Sequence, residues 1–188
     1  MKNFLFAAFI FCAFGISAQL DTLGLHKRVQ DFGRQLFKSV KMNSEYDLAI
    51  LSGTKNNLFD IIYSKTNSHE GDVPEIEPTD EELEAEMIEH HANLNACLAK
   101  TFADMRALSI RVRDIQLVDI VAEDVLAEEI TEENAREYDI GIYRIVVRIE
   151  YAGKEYALIA NDCWNLAGGL IMGHNFVFDP DFTSSVEE

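Results

Sequence analysis

From Leu25 the apolar positions run Leu25, Val29, Phe32, Leu36 and Val40. Steps of three and four place them on one face of a helix, with Lys27, Arg28, Arg34 and Lys38 on the other. Ser44-Glu45-Tyr46-Asp47 reads as a second helix start, Leu48 and Leu51 begin its apolar face, and Ser52-Gly53 breaks it. A further short helix is expected around Leu58 to Tyr63, capped by Asn56 or Asn57. Thr79-Asp80-Glu81-Glu82 forms a capping box whose acidic first turn suits the helix dipole. It opens the longest helix, roughly Asp80 to Leu108, with Leu83, Met87, His91, Leu94, Leu98, Phe102 and Met105 as the buried stripe.

After Ser109 the period becomes two. Ile110 and Val112 alternate with Arg111 and Arg113; the alternation slips at Asp114 and resumes as Ile115, Leu117 and Val121, which predicts a bulge. Glu123 to Tyr138 reads as a loop or short helix. The clearest strand is Asp139 to Tyr151, with Tyr143, Ile145, Val147, Ile149 and Tyr151 on one face and Arg144, Arg148 and Glu150 on the other. Ala152-Gly153-Lys154 makes a tight hairpin turn. The return strand carries Tyr156, Leu158, Ala160, Asp162 and Trp164 on its richer face. Leu166-Ala167-Gly168-Gly169 turns the chain again, and Leu170 to Phe178 completes the sheet with Leu170, Met172, His174, Phe176 and Phe178 on one side. The tail after Pro180 reads as frayed. Helices followed by an antiparallel meander predict an α+β fold, with N-terminal helices packed on a curved sheet of about four strands. The longest helix is expected across the concave face.

The first residues change the picture of where the protein works. Lys2 precedes an apolar run of 13 residues, Phe4 to Ile16, and Ser17-Ala18-Gln19 follows. That is the form of a secretory signal peptide cut after Ala18, and the run is shorter than the ~20 residues a membrane span needs. Cys12 lacks the small-residue context of a lipoprotein cysteine. The expected organisation is a signal peptide over 1–18, a single α+β domain over 19–182 with an acidic loop near 66–78, and a frayed tail over 183–188. The expected location is periplasmic or secreted.

Charge narrows the partners. The chain carries 16 Lys and Arg against 33 Asp and Glu, a net charge of −17. Nucleic-acid binding needs a positive surplus to displace counterions and is excluded as a main activity. The same acidity opposes adsorption to anionic lipid, so no membrane partner is expected after cleavage. No Lys or Arg stands between Lys65 and Lys100, while ten acidic residues fall from Glu70 to Glu89. A solvated linker entering an acidic helix start explains that gap more simply than a cation site, because uncaged like charges repel.

The order of elements, with Phe32-Gly33-Arg34-Gln35-Leu36-Phe37-Lys38-Ser39-Val40-Lys41 in the first helix and Tyr156-Ala157-Leu158-Ile159-Ala160-Asn161-Asp162-Cys163 leading into Gly168-Gly169, resembles the nuclear-transport-factor and ketosteroid-isomerase superfamily, the cystatin-like cone. The second stretch is similar to small exported members of that superfamily. Leu170-Ile171 stands where the superfamily usually has Trp after its last glycine turn. The resemblance implies a cone whose concave face lines a pocket.

Asp162 is the anomaly on the richer strand face, because a carboxylate among apolar groups must be paired, hydrogen-bonded or pushed toward neutrality. His174 and His91 are expected to point the same way. Those three are the candidate catalytic residues, as general base and acid on a small ligand, against a purely structural role for Asp162. Tyr143, Tyr156, Asp162, Trp164, Met172 and His174 are the candidate ligand-binding residues. Glu86 and His90 stand four apart and can meet on a helix face. His90 and His91 diverge by about 100°, so no metal site is expected, nor any other cofactor. Cys163 shares the parity of Ala157, Ile159 and Asn161, away from the helix carrying Cys97, which argues against a disulfide. Nucleophile elbows, phosphate loops and dinucleotide fingerprints are absent. The favoured reading is an exported, non-catalytic binding domain for a small molecule in the cone pocket or for a protein. A structural or homodimerising domain with a filled pocket comes next, and a small lyase or isomerase last.

Overall fold

The computed structural model describes residues 24–59, 78–125, 141–166 and 169–182. The expected signal peptide, the acidic loop up to residue 77 and the tail from 183 lie outside the described residues. The architecture is α+β: helices packed on a curved antiparallel sheet, five-stranded among the described residues.

Helix α1 covers 24–42 and buries Val29, Phe32, Leu36 and Val40, the stripe its spacing predicts. Ser44 caps α2 (Glu45–Ala49) by accepting from Asp47 N–H, and a 3-10 turn (Ile50–Ser52) ends at Gly53, where φ is 76°. A left-handed φ of this kind favours glycine. Residues 55–59 form α3. Its cap is Thr54 rather than Asn56 or Asn57: Asn57 N–H donates to Thr54 Oγ1, and Asn57 Oδ1 accepts from Thr54 N–H at 2.9 Å. The expected capping box opens α4 (Asp80–Ala107), with Thr79 and Glu82 satisfying each other's backbone donors. Its buried positions are Leu83, His90, Leu94, Leu98, Thr101 and Met105. His90 therefore takes the core position expected for His91, which is only half-buried.

Val112–Asp114 is a 3-10 turn where alternation predicted a strand. Strand β1 (Gln116–Asp124) follows, and β2 (Gly141–Tyr151), β3 (Lys154–Leu166), β4 (Gly169–Ile171) and β5 (Phe176–Asp179) complete the sheet. β1 reaches into the segment expected to be a loop from Glu123. The order is β1-β2-β3-β4, with β5 also on β3. The β2–β3 turn has two residues, Ala152 and Gly153, both at positive φ, the geometry that matches strand twist in a tight hairpin. Among the described residues β1 is an edge strand, and α1 covers it. Gln30 donates to the Ile120 carbonyl at 3.1 Å and Lys41 to the Ile115 carbonyl at 2.9 Å, occupying acceptors that an open edge would offer to another chain.

Two bulges set the faces. In β1 the pairing shifts between Leu117 and Asp119, so Val118 is extra. Ile120 is consequently buried and Val121 is 41% exposed, the reverse of simple alternation. In β3, Tyr143 pairs with Cys163 but Ile145 pairs with Ala160, so one residue too many stands opposite Arg144. Asp162 takes up the excess at φ 52°. Past it the parity inverts: Cys163 enters the core with Leu158 and Ala160, and Asp162 faces solvent. The last strand is also broken. β4 pairs with Trp164–Leu166, β5 pairs with Ala157–Ala160, and residues 172–175 arch over the bulge between them. Past Pro180 the chain is not free, since Phe182 packs on Val146, Ala157 and Ile159 of the outer sheet face.

Candidate functional site

Among the described residues, the helix-facing side of the sheet is packed with apolar side chains. Tyr156, Leu158, Met172, Phe176 and Phe178 are each 8% exposed or less and form one cluster with Phe32, Leu36, Leu94, Leu98 and Met105 from the helices. Tyr156 stacks on Phe178 at 5.6 Å between ring centres, and Lys154 Nζ sits 5.0 Å from the Tyr156 ring. Tyr143 is half-buried against the same cluster. Trp164 packs on Leu166 and Ile171 in a separate small cluster. The expected ligand-binding residues thus divide. Tyr156 and Met172 serve the core, Tyr143 borders it, Trp164 lies apart, and Asp162 and His174 are exposed. The orientation expected of Asp162 and His174 is corrected here: the β3 bulge turns one outward, and the 172–175 arch carries the other off the apolar row.

The structure gathers histidines instead. His90 is 7% exposed, and its ring meets His174 edge-on at 5.9 Å and lies 6.4 Å from His91. Burial, with the adjacent His174 and His91 rings, pushes the His90 pKa down to about 4, opposed by a hydrogen bond to the Met172 backbone. His91 Nε2 lies 2.7 Å from Ser52 Oγ, whose hydroxyl also contacts the Ala49 carbonyl at 2.6 Å. A hydroxyl has one proton; with that proton on Ala49, His91 Nε2–H is the donor. Met172 N–H donates to the Leu51 carbonyl at 2.7 Å. Two of the three candidate catalytic residues, His91 and His174, therefore meet through His90, which the sequence pattern left out of the buried stripe. The signal for it was available: Leu83 to His90 is seven residues and His90 to Leu94 is four, as regular a helical spacing as the one through His91. Among the described residues, no group of three His, Cys, Asp or Glu side chains is arranged to hold a metal ion.

His91 also lines a surface cleft between α2 and α4. The cleft has a volume of ≈ 230 Å³ and is walled by Glu45, Tyr46, Ala49, His91, Leu94 and Asn95. Large apolar side chains stand exposed on α2, on the 3-10 turn that follows it and on α4: Tyr46 at 79%, Ile50 at 57% and Ile88 at 66%. Ile88, His91 and Asn95 share one helix face by their spacing. Glu45 adds negative charge on the cleft wall. No cluster of this surface was foreseen from sequence, because Tyr46 and Ile50 lie off the apolar face that Leu48 and Leu51 define. No family model, curated protein or solved structure matches the chain.

Proposed function

We propose that the protein is an exported, non-catalytic binding domain that holds a segment of a protein partner in the α2–α4 cleft. The observation that carries this reading is the contrast between a helix-facing side of the sheet packed with apolar side chains and the exposed Tyr46, Ile50 and Ile88 on α2, the 3-10 turn and α4, with Tyr46 on the wall of the cleft. Apolar groups of this size gathered on one face mark interaction surfaces more often than isolated exposed residues do. A cleft of ≈ 230 Å³ takes one large apolar side chain, and the Glu45 carboxylate on its wall suits a flanking basic residue. Export is supported by Lys2, the 13-residue apolar run and Ala18. The cystatin-like cone remains part of the proposal, supported by helices packed on an antiparallel sheet. The enzymatic alternative loses its premise with Asp162 in solvent.

A photo-crosslinking residue in place of Tyr46 tests the reading in cells that export the protein. It is expected to give one discrete adduct, whereas the same residue at Lys100, half a turn round α4 from His91, gives none. Equal labelling at both positions, or none at 46, would reject it.

A further inference from the structure

Three elements meet at the histidine cluster, tied in a ring by two hydrogen bonds and one contact between imidazole rings. His91 joins α4 to the 3-10 turn through Ser52. His90 joins α4 to the segment between β4 and β5 through its edge-on contact with the His174 ring at 5.9 Å. Leu51 joins that segment to the 3-10 turn by accepting from Met172 N–H at 2.7 Å. Among the described residues, the groups around His90 supply little to balance a positive charge. From its own helix they are His91 and, one turn earlier, Glu86; from the β4–β5 segment, His174; from the 3-10 turn, only the Ser52 hydroxyl and the Leu51 carbonyl. From β3 comes Asp162, whose backbone packs on Gly173 while the residue itself is exposed.

We propose that His90, His91 and His174 form an acid-released latch, which holds α4 against the 3-10 turn and the β4–β5 segment while neutral and releases it when protonated. Imidazolium rings 5.9 and 6.4 Å apart repel, and a protonated His90 would lie where water is excluded. Opening relieves both penalties. Because His91 is also a wall of the cleft, release alters the surface that α2 and α4 present together. That consequence rests on the cleft being the binding face; the latch itself does not.

Amide hydrogen exchange on the whole purified chain tests it, with rates corrected for the intrinsic effect of pH. Between pH 7.5 and 4.5, amides in 50–53 and 169–176 are expected to lose protection by up to roughly 70-fold, the size that follows from lowering an ordinary imidazole pKa to about 4. His90→Leu removes the dependence, and His174→Ala, which takes away the repelling ring, reduces it. Identical pH dependence in the wild type and both variants overturns the proposal. Should His90→Leu fail to fold, His174→Ala still decides, since it alters an exposed side chain. A failed crosslink at position 46 with the latch intact rejects only the cleft reading; a flat exchange profile with crosslinking intact rejects only the latch.

Discussion

Gly173 rests against the backbone of Asp162 so closely that a β-carbon added to Gly173 would stand 2.5 Å from the Asp162 carbonyl oxygen and 2.8 Å from its Cβ. The contact exists because the β3 bulge puts Asp162 at φ 52° while residues 172–175 arch across it. The consequences are functional as well as structural. The arch presents His174 to His90, and the bulge turns Asp162 out and Cys163 in.

Gly173→Ala is therefore expected to destabilise the fold by about 1–3 kcal/mol, as overpacking against atoms that cannot swing aside does. The check is a lower urea midpoint with an unchanged denaturant slope. Gly153→Ala is the control, because nothing lies within 4 Å of its added β-carbon and only the positive φ of 80° opposes it; it should cost about 1 kcal/mol. Equal losses at the two positions would show that crowding at Gly173 is unimportant.

At Asp162 the backbone conformation matters more than the charge. Asp162→Asn keeps a residue type that tolerates the left-handed region and should leave stability within about 0.5 kcal/mol. Asp162→Val sets a branched side chain there and should lose about 1–2 kcal/mol. Thermal unfolding of the two variants separates conformation from charge: a large loss in Asn with none in Val would reverse the assignment.

Those same residues explain what was legible in the sequence. Helices α1 and α4 announced themselves, because Val29-Phe32-Leu36-Val40 follows a period of 3.6 and Thr79 with Glu82 marks a start that local chemistry alone determines. The β2–β3 hairpin was equally plain at Ala152-Gly153. The places of the bulges were not: one was expected at Asp114, where the chain makes a 3-10 turn, whereas the extra residues are Val118 and Asp162, neither a glycine, and nothing before the partner strand is known says which residue goes unpaired. One extra residue inverts every position beyond it, which is how Asp162 and Cys163 exchanged faces. His90 and His91 were indistinguishable for a different reason: steps of three and four both continue a helical stripe. The candidate site was thus half visible, with His91 and His174 named, and His90 and Ser52 supplied only by tertiary packing.

Acid should weaken the protein with a recognisable sign. The His90 pKa lies below the ordinary histidine value in the folded protein, so the unfolded chain binds the extra proton first. Its contribution is whole above about pH 6.5 and is lost as pH falls toward 4, to a limit of about 3 kcal/mol. Asp47 and Glu82, whose pKa values are lowered by hydrogen bonds from Lys38 and Ser44 and from Thr79 respectively, change stability in the same direction at lower pH. Urea titrations at pH 7.5 and 4.5 should therefore show a larger acid loss in the wild type than in His90→Leu. Equal losses would place the acid sensitivity entirely with the carboxylates.

The two cysteines of the described residues should differ sharply as nucleophiles. Both are free thiols in the structure, and both belong to the central packing: Cys163 is fully buried, while Cys97 on α4 is half-buried. Burial pushes the Cys163 pKa up to about 12, with the Asp162 charge adding to it and hydrogen bonds from the Gly173 and Ile145 backbone opposing it. Thiolate is the reactive form, so native Cys163 is doubly protected, by access and by protonation. Iodoacetamide at pH 8 should modify Cys97 first and reach Cys163 at least 100-fold more slowly, at the pace of unfolding. Because the β3 bulge alone puts the thiol inside, the same labelling tests the register. Rapid modification of Cys163 in folded protein would mean that it faces outward, that β3 runs without an extra residue at Asp162, and that the carboxylate returns to the core face.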